Sequence, residues 1–414
     1  MDIYNEISTK INEYLKTNKT EEVLKIYKDN LDFFKNYGGK IIFVSRKIKN
    51  KNLQIFDLFK GYEKYLKFPF ENENLIFLNP KIMKNHSLGL DANFKIDWTI
   101  SLDSNFASLI EKYLTHKNVE SKNDVFKKIT DLLSSKNMNI DYSPYVLENL
   151  FKSNVEKDSI LSNVKRIIRL FNLDINSADN ILEMKILDEE KYLNEVDKAN
   201  KFINSKKAEG NDVKEFYNIY YLILLKIVYF EKKLPTTNEK IKSLVEFMDS
   251  KLNRIYLREL AVAMKYFKKE TGLKFFNKLN NKNPDQLLKY IKNMAWDFVL
   301  SRVFLENAIT VLPDPEVADF FIPYFLTLDE GLSEIIDIYR LKGIMYFDKH
   351  YEMQTFSDIN EDNISEVNGL SDYFTAYAKN NRQKRLLSIC NDHQNSIIMD
   401  IIKTTEQDIR KLLS

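Results

Sequence analysis

The chain has a single cysteine, Cys390, and only four histidines, His86, His116, His350 and His393, scattered along 414 residues. A disulfide framework needs paired thiols and a zinc site needs closely spaced Cys and His, so both are excluded. An excess of one charge sign is also missing, with 62 Lys and Arg against 60 Asp and Glu. No global basic field marks the chain for nucleic acid or for an anionic membrane, and any such site must be local. Long hydrophobic runs are lacking too. The longest, YNIYYLILLKIVYF, spans 14 residues and contains Lys226. That is short of the ~18 apolar residues that cross a bilayer, so it is expected to be a buried helix. The N-terminus, MDIYNEISTKINEYLK, has charges where a signal peptide has its apolar core. A cytoplasmic protein without membrane association is expected.

What is present is mostly helical periodicity with a few short strands. Residues 1–37 are periodic in two pieces, split at TNKTEE, and NYGG closes the second with glycines suited to a C-cap. KIIFVS, LIFLNP and KIDWTISLDS predict strands, and the basic SRKIKNKN between the first two predicts a solvated loop. NFASLIEKYL then turns helical. In MNIDYSPYVLENLF a short strand precedes a helix with Ser143 as N-cap and Pro144 at the first helical position. Helical pattern fills roughly 155–310. It is followed by a strand in PYFLTLD, a helix in EGLSEIIDIYRL, a strand in GIMYF and a polar tail.

Two junctions share one grammar. In WTISLDSNFASLIEKYL and in YFLTLDEGLSEII an apolar strand ends in Asp and a helix begins at once, placing Asp103 and Asp329 at strand C-terminal ends. In open parallel α/β sheets that edge gathers ligands and chemistry. Each Asp alone is equally well explained as a helix N-cap. Asp297 lies within the stripe Leu287, Tyr290, Met294, Asp297, Ser301, Phe304, Ala308. A carboxylate there needs a cationic partner, a hydrogen bond or a metal, unless the register turns it outward. Glu148, three residues from both Tyr145 and Phe151, flanks the buried side of its helix, where it also suits the helix dipole.

The order and contexts of these acids resemble those of the PIN-domain ribonucleases. The matching pieces are LDSN with Asp103 and Asn105, the helix with Ser143 and Glu148, AWDFVLSRVF with Asp297, and FLTLD with Thr327 and Asp329. The resemblance covers about a quarter of the chain, roughly 96–150 and 285–347. It implies an α/β fold, a PIN-like parallel sheet flanked by helices and closed by EGLSEIIDIYRL and GIMYF. The long interval from Glu148 to Asp297 requires a large helical insertion at about 155–283, expected to project from the sheet. Residues 1–95 would form an N-terminal, mostly helical extension with short strands, 96–347 the interrupted PIN-like domain, and 348–414 a polar and helical tail.

The same resemblance implies metal-dependent hydrolysis of RNA or another single-stranded nucleic acid. Asp103, Glu148, Asp297 and Asp329 would be the catalytic metal ligands, with Asn105 and Thr327 in support. Glu259, in IYLRELAVAMKYF, is a rival for the glutamate position. Oxygen-only ligands favour Mg²⁺ or Mn²⁺. Substrate phosphates would meet local basic groups: Lys165, Arg166 and Arg169 on the insertion, Arg46, Lys47 and Lys49 near the first strands, or Arg382, Lys384 and Arg385. Each of these charge runs is also a normal solvated surface. The insertion could equally serve as a platform for a protein partner. The alternative is a non-catalytic helical interaction or scaffold protein, including a degenerate PIN-like domain. Convergence of the four acids on one crevice discriminates between the two.

Overall fold

A computed structural model describes residues 2–45, 59, 61–71, 74–85, 95–114, 139–151, 160–162, 164–165, 189–208, 210–270, 273–310, 318–347, 352–357, 370 and 392–414. The chain is α/β, with two mixed or antiparallel sheets and many helices. It opens with α1 (Asp2–Lys16), α2 (Thr20–Asp29) and α3 (Leu31–Tyr37), then β1 (Gly39–Val44), β2 (Leu66–Lys67), β3 (Leu75–Leu78) and α4 (Pro80–Asn85). Next come β4 (Ile96–Leu102), α5 (Ser104–Leu114), β5 (Asn139–Asp141) and α6 (Ser143–Phe151). A run of helices follows: α7 (Glu189–Ala208), α8 (Gly210–Lys233), α9 (Thr237–Leu252), α10 (Leu257–Phe267), a 3₁₀ segment (Lys274–Asn280) and α11 (Pro284–Thr310). The chain ends with β6 (Phe320–Leu326), α12 (Glu330–Ile338), β7 (Gly343–Phe347), β8 (Glu352–Phe356) and α13 (Asp392–Leu413).

The sheet that positions the acids has the order β2-β6-β4-β5. Strands β4 and β6 are parallel neighbours in register from Ile96↔Phe320 to Leu102↔Leu326, although more than two hundred residues separate them. Strand β5 is parallel to β4 on its other side, and the two-residue β2 is antiparallel to β6. The chain thus leaves β4 for β5 on one side and returns as β6 on the other. That makes the C-terminal end of β4 a topological switch point, where crevices open in α/β sheets. Strand β6 is buried along its whole length and tolerates Pro323, because β2 pairs only with Phe325 and Leu326.

The second sheet has the order β3-β1-β7-β8 and is antiparallel throughout. Its side chains alternate in the period of a strand. Ile41, Phe43, Met345 and Phe347 pack with Ile7, Ile11, Tyr27 and Phe34 of the N-terminal helices, whereas Ile42, Val44, Phe77 and Ile344 face the main core. There Phe77 meets Phe320 of β6 edge-on, with ring centroids 4.8 Å apart. On the opposite face of β6, Phe325 packs on Phe304 of α11 at 5.4 Å. Helices α1–α3, two sheets and the long helices are therefore stacked in layers.

Three expectations change. GIMYF does not close the parallel sheet; as β7 it pairs with β1 and β8, and short β2 occupies the place beside β6. Strand pairing consequently crosses the boundaries drawn at 95/96 and 347/348. Every described element between 155 and 283 is helical, yet these helices join the main core instead of projecting from it. Helix α8 packs against α11 and α13, and α13 buries Ile398, Ile402, Thr405 and Ile409 on one face, so the C-terminal segment belongs to the helical layer.

The NYGG turn behaves as its glycines suggest. Gly38 is left-handed at φ 67° and caps α3. Gly39 matters for a different reason: a Cβ there would sit 2.5 Å from both Phe34 and Phe347, inside the stack that joins α3 to β7. Gly39→Ala is expected to lower unfolding stability by about 2–3 kcal/mol through overpacking, against about 1 kcal/mol for Gly38→Ala from strained backbone. Urea melts of both variants check the ranking; equal losses would show that the aromatic stack yields readily.

Candidate active site

Asp103 directly follows β4 and is 1% exposed. Its Oδ1 accepts the Phe106 amide at 2.7 Å, the bond expected of an N-cap on α5. Its Oδ2 accepts the Thr327 hydroxyl at 2.5 Å, across from the end of β6. Burial pushes its carboxyl up to about 7; the Thr327 and Phe106 hydrogen bonds oppose this, and the charges of Glu148 and Asp329 add to it. Asp329 caps α12, with Oδ1 accepting the Gly331 amide at 2.7 Å and the Leu332 amide at 3.0 Å. Its own amide donates to Thr327 Oγ1 at 3.0 Å. Thr327 thus ties the two capping aspartates together across the strand ends.

Glu148 is half-buried on α6, and the Ser104 hydroxyl at the start of α5 donates to its Oε2. Asn149 in turn donates to Ser104 Oγ at 3.3 Å and to the Tyr145 carbonyl at 2.8 Å. Helix α6 is set on β5 by Asp141. That carboxylate accepts the Ser143 amide at 2.8 Å and hydroxyl on Oδ1, and the Ser101 hydroxyl at 2.7 Å on Oδ2. The capping role expected of Ser143 therefore falls to Asp141, and the helix begins one residue earlier than its sequence suggests.

Asp297 lies on the predicted stripe of α11, where Leu287, Met294, Ser301 and Phe304 are buried. Asp297 itself is half-buried and lines a cleft instead of the core. At the start of the helix Asn283 accepts the Gln286 amide at 3.0 Å just before Pro284. Glu259 is not part of this arrangement. It is buried beneath α12, where the Tyr339 hydroxyl donates to its Oε1 at 3.2 Å.

The cleft encloses about 520 Å³ at the C-terminal edge of β4 and β6, and Asn105, Glu148, Asp297 and Asp329 all line it. Four of the residues singled out in the sequence are thus brought to one place from separate stretches of chain, and of the two glutamates Glu148 lines the cleft and Glu259 does not. Thr327 and the buried Asp103 stand directly beneath. Among the described residues, no three of Asp, Glu, His or Cys come close enough together to hold a metal ion. Asp103 in particular has both oxygens engaged and almost no exposure, so the expectation of a direct ligand there gives way to that of a brace.

Compared with known protein families, curated proteins and solved structures, the chain matches none. Lys274, Lys278 and Asn293 also line the cleft and had no signal in the sequence, and Tyr290 of the Asp297 stripe joins them there. Lys165 is half-buried and lines neither this cleft nor the one beside it, while Arg166 and Arg169 lie outside the described residues. The other basic groups considered, Arg46, Lys47, Lys49, Arg382, Lys384 and Arg385, also lie outside them. No helix among the described residues is long and apolar enough to cross a membrane.

Proposed function

We propose that this cleft is the active site of a Mg²⁺- or Mn²⁺-dependent nuclease that hydrolyses phosphodiesters of RNA or another single-stranded nucleic acid. The observation that carries the proposal is the shared cleft of Asn105, Glu148, Asp297 and Asp329 at a parallel-sheet switch point. The donors fit a hard divalent cation in kind, being oxygens from three carboxylates and an amide. Their spacing is looser than a coordination shell. Glu148, Asp297 and Asp329 would hold the ion, which supplies charge neutralisation to the phosphoryl group and acidifies water.

The chain's own groups do the rest. Ser104 fixes the Glu148 carboxylate, and Thr327 with Asp103 fixes the backbone from which Asp329 projects. Asn105 and Asn293 offer amide donors to phosphate oxygens, and Lys278 opposes charge developing there. Tyr290 stands in the wall as a surface on which a base stacks. The proposed setting is the cytoplasm, where Cys390 stays a thiol.

The decisive experiment measures melting temperature and cleavage of a mixed single-stranded RNA with Mn²⁺, with Mg²⁺ and with EDTA. The expected outcome is a rise in melting temperature with either ion and cleavage abolished by EDTA. No shift and no cleavage with either ion would overturn the proposal. One observation favours a second reading in that event: Asp103 and Asp329 are both satisfied N-caps. The fold would then be a non-catalytic scaffold, or a degenerate PIN-like domain, with a protein partner on its helical layer.

A further inference from the structure

A second cleft, of about 510 Å³, adjoins the first, and Lys274, Leu328, Asp329 and Glu330 line both. The rest of its wall includes Lys64, Tyr65, Lys67 and Glu334, whose carboxylate accepts the Phe275 amide at 3.0 Å. At the common boundary one carboxylate holds two lysines. Glu330 Oε2 lies 2.7 Å from Lys274 Nζ, and Glu330 Oε1 lies 3.9 Å from Lys64 Nζ. All three side chains are more than half exposed, at 54% for Glu330, 58% for Lys274 and 66% for Lys64. Lys67 differs: its side chain is 6% exposed and it pairs with Asp337 at 3.0 Å.

Exposure decides what each pair does. Ion pairs between solvated side chains contribute little and open easily, because water and salt compete for both partners. A desolvated lysine such as Lys67 stays with its carboxylate. Lys64 and Lys274 are therefore the two cations at this boundary that can change anionic partner. An extended polyanion with one phosphodiester among Glu148, Asp297 and Asp329 leaves that cleft past Lys274 and Glu330. Along this path a phosphate meets the two lysines already gathered around one anion, and the rings of Tyr65 and Tyr290 stand on either side of the boundary.

We propose that Lys64 and Lys274 bind a backbone phosphate of single-stranded RNA next to the reacting one, and that Glu330 holds that phosphate's place in the ligand-free protein. The inference rests on the nuclease reading for its ligand. It makes Glu330 an antagonist of substrate binding, the reverse of what its position in the active-site wall suggests.

The test is fluorescence anisotropy of a fluorescein-labelled 12-nucleotide oligouridylate, in EDTA so that nothing is cut, at several salt concentrations. Lys64→Ala/Lys274→Ala is expected to weaken binding roughly fivefold at low salt and to flatten the salt slope by about 0.7, the value of one phosphate contact to a single strand. Glu330→Gln is expected to tighten binding by roughly threefold or more, since it frees both lysines and removes a charge from the groove. Binding that is unchanged in both variants, or weakened by Glu330→Gln, overturns the inference. So does binding of an oligoglutamate peptide in place of the RNA. Mn²⁺-dependent cleavage by the parent separates the two proposals. Cleavage with variant-insensitive binding sinks only the latch, whereas variant-sensitive binding with no cleavage in any metal sinks only the nuclease.

Discussion

Glu148→Gln and Asp297→Asn are each expected to lower Mn²⁺-dependent cleavage of single-stranded RNA about 100-fold or more, while Glu259→Gln leaves it unchanged. Each of the first two substitutions removes one negative charge from the cleft and keeps the shape of the side chain. In Glu148→Gln the Ser104 hydroxyl can still donate to the remaining amide oxygen, so local packing survives. What is lost is an anionic oxygen that would hold the divalent cation, and weakening one such electrostatic element of a site is expected to cost roughly 10²–10³ in rate. Glu259 supplies the contrast. It is buried under α12, bonded to Tyr339 and close to Arg258, and it reaches neither cleft. Its neutralisation leaves a half-buried arginine with weaker compensation and is expected to lower the melting temperature. Activity lost in Glu259→Gln and kept in Glu148→Gln would reverse the assignment of the glutamate.

The site was legible where chemistry is local in sequence. A strand that ends in Asp and runs straight into a helix announces both its cap and its edge, which is why Asp103 and Asp329 could be placed before their strands were seen to pair. Asp297 was legible because a charge interrupts an otherwise buried stripe. The second sheet was not. GIMYF is buried on both faces, so its side chains carry no alternation to tell which strand lies beside it. Its partner β1 is some three hundred residues away, and nothing local encodes that choice. The lysines of the groove were invisible for a related reason. Lys64, Lys67 and Lys274 are single cations in unremarkable sequence, and only the meeting of β2, the 3₁₀ segment and α12 makes them neighbours. The charge runs that did stand out, residues 46–49 among them, lie outside the described residues except for Lys165, which lines neither cleft. Asp141 was missed because β5 has only three residues and its cap falls inside the strand pattern.

Whether Asp103 is a cap, a brace or both is decided by how its stability contribution changes with pH. In the unfolded chain its carboxyl titrates near 3.8, and burial raises it to about 7 in the fold. The folded state therefore keeps its proton over a window in which the unfolded state loses it. Stability from this group is fully present below about 4, falls as pH rises through that window, and is lost above about 7. An asparagine at this position imitates the protonated acid and titrates nowhere. In EDTA, Asp103→Asn is thus expected to melt close to the parent at about pH 4.5 and clearly above it at about pH 8. The upper limit of the gain is on the order of 4 kcal/mol from the shift alone. One hydrogen bond reduces it. Thr327 Oγ1 already accepts the Asp329 amide, so a side-chain amide introduced at position 103 and donating to the same oxygen leaves the threonine proton to find another acceptor. A net gain of about 2 kcal/mol at pH ~8 is expected after that loss. Asp103→Ala, which lacks the acceptor for Phe106, should lie below Asp103→Asn by about 1 kcal/mol at every pH. A gap between Asp103→Asn and the parent that is constant with pH, or that widens in acid, would mean that Asp103 is charged throughout and acts as a cap alone.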